Sequence, residues 1–114
     1  MKYLFALPFA FAVSAASSSP LTGDDFHITC ISDRDGSEVV LTRSGGVDKG
    51  YIHTANINGD ATIFPGVGSL TFMHIEGNDV MTFVVHFDTH DYDLSVQGPH
   101  AGNDHGVCGD PVED

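Results

Sequence analysis

From residue 24 onward, apolar and polar side chains alternate in short runs, with clusters of Gly, Asn and Asp between them. A period of two marks strands with one face in a core, and no run holds the 3.6-residue period of a helix. Asp25 to Ser32 sets Phe26, Ile28 and Cys30 on one face, and Asp33-Arg34-Asp35-Gly36-Ser37 reads as a turn. Glu38 to Arg43 returns as a second strand and breaks at Gly45-Gly46. Tyr51 to Ile57 is a third, closed by Asn58-Gly59, a pair that tolerates positive φ and favours a tight hairpin. Ala61 to Phe64 is a short fourth strand, stopped by Pro65-Gly66. Ser69 to Glu76 and Val80 to Phe87 flank a Gly77-Asn78 turn, the latter stacking Met81, Phe83, Val85 and Phe87. After a loop over 88–91, Tyr92 to Val96 groups Tyr92, Leu94 and Val96. From Gly98 the periodicity is gone, so residues 99–114 read as an irregular acidic tail behind a β-domain at 24–98. The pattern predicts an all-β fold, an antiparallel meander of about seven short strands rolled into a small barrel or folded as a sandwich.

The first residues follow another rule. Lys2 precedes an apolar run from Tyr3 to Val13, broken only by Pro8 and ending in Val13-Ser14-Ala15-Ala16. A basic start, an apolar stretch and small residues in that order are those of a secretory signal peptide over 1–16, cut after Ala15 or Ala16. The run falls short of the roughly 20 residues a bilayer crossing needs. Residues 17–23 form a polar, flexible linker. The expected product is one soluble, monomeric domain, secreted or periplasmic, with no membrane insertion after cleavage.

Two cysteines, Cys30 and Cys108, stand near the two ends of that domain. In an oxidising compartment such a pair reads as a disulfide, the alternative being two free or metal-bound thiols. Closing so long a loop stabilises a small domain by about 4 kcal/mol. Charge is the most extreme feature of the composition. Sixteen Asp and Glu face four Lys and Arg, and loss of Lys2 moves the formal charge from −12 to −13. Nucleic acid and anionic membrane surfaces are excluded as partners, because binding them requires basic side chains. A cationic macromolecule or a divalent metal is attracted.

Seven histidines are the other compositional signal. His86 and His90 lie among Asp88, Asp91 and Asp93, and His100 and His105 precede Cys108. Imidazole with carboxylate suits zinc or copper, so His86, His90, His100 and His105 are the candidate metal ligands if the tail folds back over that end. Asn56, Asn58 and Asp60 begin like a calcium loop, but Ala61 and Val67 occupy the positions that need Gly and Glu. Asp91 and Asp93 share one side of a strand, which allows general acid–base chemistry, though such pairs abound in a chain this acidic. No Gly-x-Ser-x-Gly elbow is present, and no motif names a reaction.

Phe26-His27-Ile28-Thr29-Cys30, the Leu70-Thr71-Phe72 and Met81-Thr82-Phe83 strands and the final Gly106-Val107-Cys108 together resemble small secreted proteobacterial β-domain proteins of unknown function. That resemblance implies a periplasmic β-domain and no particular activity. In architecture the chain is remotely similar to periplasmic inhibitors of C-type lysozyme, which carry a Ser-Gly-x-x-Tyr loop. Here Ser44-Gly45 stands too far before Tyr51 to match, so no inhibitory residue carries over. The leading expectation is a non-enzymatic binding domain for a basic protein or other cationic partner, without cofactor. The alternative is a periplasmic zinc- or copper-binding protein using the four histidines.

Overall fold

The structure, a computed structural model, describes residues 23–113. The expected signal peptide and almost all of the linker lie outside them. The strands are β1 (Phe26–Ser32), β2 (Glu38–Arg43), β3 (Lys49–His53), β4 (Asn58–Gly66), β5 (Ser69–Glu76), β6 (Asp79–His86), β7 (Asp91–Gln97), β8 (Gly102–Cys108) and β9 (Val112–Glu113). Strands β1 to β8 pair antiparallel in chain order, and β1 pairs with both β2 and β8, so the meander closes into an eight-stranded barrel. β9 continues along the β1 edge beyond β8, setting Val112 opposite His27. Barrel rather than sandwich is therefore the architecture, and closure removes the long free edges of an open sheet.

The alternation read from the sequence is the alternation of the barrel wall. Phe26, Ile28 and Cys30 from β1, Phe72 from β5, Phe83 and Val85 from β6 and Tyr92 from β7 point inward and are buried. Phe26 meets Phe72 and Phe87 edge-on, with ring centroids 6.5 and 6.0 Å apart, a favoured aromatic geometry. Arg43 also points inward and is 2 % exposed. Its guanidinium carbon stands 5.6 Å above the Phe26 ring, and its Nε donates to the Val47 carbonyl at 2.9 Å. Burial lowers its pKa, against the pull of Asp25 and Asp24. This cation and the rings beneath it fill the barrel end formed by the β2–β3 loop.

Three features differ from expectation. The tail is not irregular, because Gly102–Cys108 is β8, paired along β7 from Val96↔Gly102 to Asp91↔Val107 and to β1 through Cys30↔Cys108, Ile31↔Val107 and Ser32↔Gly106. A run so rich in Gly, Asn and Asp has little strand propensity of its own, and two ladders supply what propensity does not. Asn58-Gly59 is not the hairpin turn, since Asn58 pairs with His53 and Gly59 with Ile52. The loop sits one step earlier, where Thr54 Oγ1 accepts the Asn56 and Ile57 amides at 3.1 and 2.9 Å and the Thr54 amide donates to the Ile57 carbonyl at 2.7 Å. Gly59 serves close packing instead, for a Cβ there would stand 2.5 Å from His74 Cε1. Finally, β4 runs through Pro65, which pairs with Leu70 beyond Thr62, the last β4 residue in register with β3.

Cys30 and Cys108 form the disulfide and are register partners. The bridge therefore staples the seam that closes the barrel, which rests on only three β1–β8 register pairs.

Candidate functional site

An antiparallel meander sends successive turns to alternate ends of the barrel, and this separates His100 from His86 and His90. His86 ends β6, and its Nε2 lies 3.3 Å from Asp93 Oδ2. His90 sits in the β6–β7 turn at φ 58°, its amide donating to the His86 carbonyl at 3.0 Å and its ring 3.5 Å from Asp110. His100 belongs to the β7–β8 turn, at the far end of a strand about 20 Å long. Its Nδ1 is 2.7 Å from Asp79 Oδ2. His105 points outward from β8, with Nδ1 2.9 Å from Asp33 Oδ2. Each ring faces its own carboxylate, and among the described residues no group of three His, Cys, Asp or Glu side chains is placed to hold a metal ion. The fold-back that would have gathered the four is replaced by the extended β8. Asp91 and Asp93 do share the outer face, but Asp91 takes the Thr89 hydroxyl at 2.8 Å and Asp93 the His86 ring.

What the fold does assemble is a cavity of about 230 Å³ in the barrel mouth, opposite the Arg43 end. Its rim is the β1–β2 turn, the β3–β4 loop and the β7–β8 turn. Apolar walls come from Val39, Ile57, Phe83, Leu94 and Val96. At one side Ser32 Oγ donates to Asp104 Oδ2 at 2.6 Å, and the Tyr92 hydroxyl donates to the same oxygen at 3.2 Å. Ser32 Oγ also accepts the Arg34 amide at 3.1 Å, and the Arg34 guanidinium donates to the Asn103 carbonyl. The rim is fixed by Asp79, which is buried and accepts both the His100 amide at 3.0 Å and the His100 ring.

This environment sets the charge of each group. Burial raises the Asp104 carboxyl, but hydrogen bonds from Ser32, the His105 amide and Tyr92, with the Arg34 charge, outweigh it and hold the group below its ordinary value. Burial, aided by the neighbouring Asp104 and Asp33 charges, pushes the Tyr92 phenol up to about 12. The mouth therefore presents an ionised carboxylate steadied by two neutral hydroxyl donors. Ser32 gives its proton directly to the Asp104 carboxylate, which keeps lone pairs for a further donor or a cation. Sequence reasoning missed it because Ser32 and Asp104 are 72 positions apart. The one available signal was Asp104, Gly106 and Cys108 at period two, a strand pattern required beside β1 once Cys108 is bonded to Cys30. Comparison with protein-family models, with curated proteins and with solved structures finds no match for this chain.

Proposed function

We propose that this domain is a non-enzymatic binding module, secreted or periplasmic, whose partner is a basic protein or other cationic macromolecule. The observation that carries this reading is the distribution of charge. Beyond the expected leader only Arg34, Arg43 and Lys49 are basic, and Arg43 is sealed inside the barrel. Two cations are left to face solvent, against exposed carboxylates that include Asp35, Glu38, Asp60, Asp88, Asp93 and Asp110. A field of one sign on a stapled, rigid wall accelerates encounter with a basic surface and suppresses anionic partners.

The test is binding of the mature, oxidised chain to basic proteins, with a C-type lysozyme as one probe and an unrelated basic protein as a second. The expected result is association whose on-rate falls about tenfold or more between low and high salt. Absence of binding to every basic probe, or binding that salt leaves unchanged, overturns the reading.

A further inference from the structure

The mouth cavity is too small for a macromolecule and is lined on two chemically distinct sides. At about 230 Å³ it lies below the roughly 300–1,000 Å³ of a typical small-molecule site, on the scale of a single side chain. Val39, Ile57, Leu94 and Val96 supply the apolar part, and the polar part includes the Asp104 and Asp35 carboxylates, with Ser32 and Arg34 beside them. A flexible apolar stem ending in a compact positive charge matches both sides at once.

We propose that the barrel mouth is a socket for a single lysine side chain of the cationic partner, its stem against the valine and leucine walls and its ammonium on Asp104; this deepens, and rests on, the cationic-partner reading above. Lysine fits better than arginine. A guanidinium binds best when both carboxylate oxygens are open to its planar fork, whereas Asp104 Oδ2 already accepts Ser32 and Tyr92. A point-like ammonium takes whatever lone pairs remain and adds the nearby hydroxyl oxygens as further acceptors. Among the described residues, Arg34 is the one Lys or Arg lining the socket, and its guanidinium is drawn to the Asn103 carbonyl at the rim. It opposes entry of a second positive charge, so it acts as a gatekeeper whose removal strengthens binding.

The experiment titrates the oxidised mature chain with Nα-acetyl-lysine methylamide and, separately, with the uncharged norleucine analogue, following the methyl resonances of Val39, Leu94 and Val96 by NMR. The lysine derivative should shift those methyls in a saturable way, and the norleucine analogue should shift them at least about tenfold more weakly, the loss expected when a charge-assisted hydrogen bond is absent. Arg34→Gln should tighten binding of the lysine derivative several-fold. Asp104→Asn should weaken it about tenfold. Because that substitution also touches the Ser32–Tyr92 cluster, Leu94→Trp is the companion, filling the mouth while keeping the Asp104 carboxylate; it should abolish the shifts of the Val39 and Val96 methyls. Equal affinity for the two derivatives, or unmoved mouth methyls at the highest concentration reached, overturns the socket. If a basic protein binds with strong salt dependence and Leu94→Trp leaves that binding unchanged, the socket falls while the partner reading stands. If the lysine derivative fills the mouth but no basic protein binds, the partner reading falls and takes the proposal as stated with it.

Discussion

Gly106 lies where β8 closes against β1, opposite Ser32, and a Cβ added there would stand 2.0 Å from the Ile31 carbonyl oxygen and 2.7 Å from Tyr92 Cε2. Neither neighbour can swing aside. The first is backbone in the seam, and the second belongs to a ring that is 1 % exposed and hydrogen-bonded to Asp104. Gly106→Ala must therefore part β8 from β1 by more than an ångström or tilt the Tyr92 ring into the mouth. Overpacking a tight site costs about 1–3 kcal/mol. Weakening one or two seam hydrogen bonds adds roughly 0.5–1.5 kcal/mol each. The expected loss is about 3 kcal/mol. The internal control is Gly102→Ala on the same strand, where a Cβ meets nothing within 4 Å. Lower entropy of the unfolded chain makes that change neutral or stabilising by up to about 1 kcal/mol. Equilibrium urea denaturation of both variants, with the disulfide intact and m-values compared, measures the difference. A Gly106→Ala variant within about 0.5 kcal/mol of the parent, or one no worse than Gly102→Ala, refutes the account of the seam.

Other perturbations test other parts of the wall. Replacing Cys30 and Cys108 together by Ser releases a 78-residue separation and should cost about 4 kcal/mol, seen as a large fall in the urea midpoint; an unchanged midpoint would show that the seam holds without its staple. Hydrogen bonds from the His100 amide and ring hold the Asp79 carboxyl below its ordinary value, so the folded state binds this proton less readily than the unfolded chain. Its stability is complete above about pH 4 and is lost as pH falls through the depressed value; Asp79→Asn should flatten the acid limb of a pH–midpoint curve, and an unaltered limb contradicts the assignment. Tyr92 has the opposite sign. With its phenol pushed up from 10.0 to about 12, its contribution is full below pH 10.0 and is lost as pH rises through about 12. Ultraviolet titration of a Tyr51→Phe variant of the mature chain, which lacks Tyr3, should show Tyr92 ionising only near the upper value, and a phenol titrating at its ordinary value would place Tyr92 outside the core.

The strand class and most strand positions were legible because burial on one face writes a period of two directly into the chain. Phe26-x-Ile28-x-Cys30 and Phe83-x-Val85 are inward-facing in the barrel as in the pattern. The disulfide was legible too, since one cysteine pair in the expected domain leaves one intramolecular pairing. Tertiary structure decided the rest. Whether the meander closed depended on β8, whose Gly102-Asn103-Asp104-His105-Gly106 run becomes a strand only because β7 and β1 offer ladders on either side. Asn58-Gly59 carries the local signal of a turn, yet Thr54 closes the loop earlier and His74 needs the space that Gly59 leaves. His86 and His90 share one turn, but His100 stands at the opposite end because consecutive turns of a meander alternate ends, and His105 lies along β8 on its own carboxylate. Ser32, Tyr92 and Asp104 do the reverse, remote in sequence and joined at one oxygen by barrel closure. Sequence by itself determines which side of a strand each residue occupies, since that follows from neighbours two positions away. Which strands stand side by side, and so which polar groups share a cavity, is set by long-range pairing that no local pattern encodes.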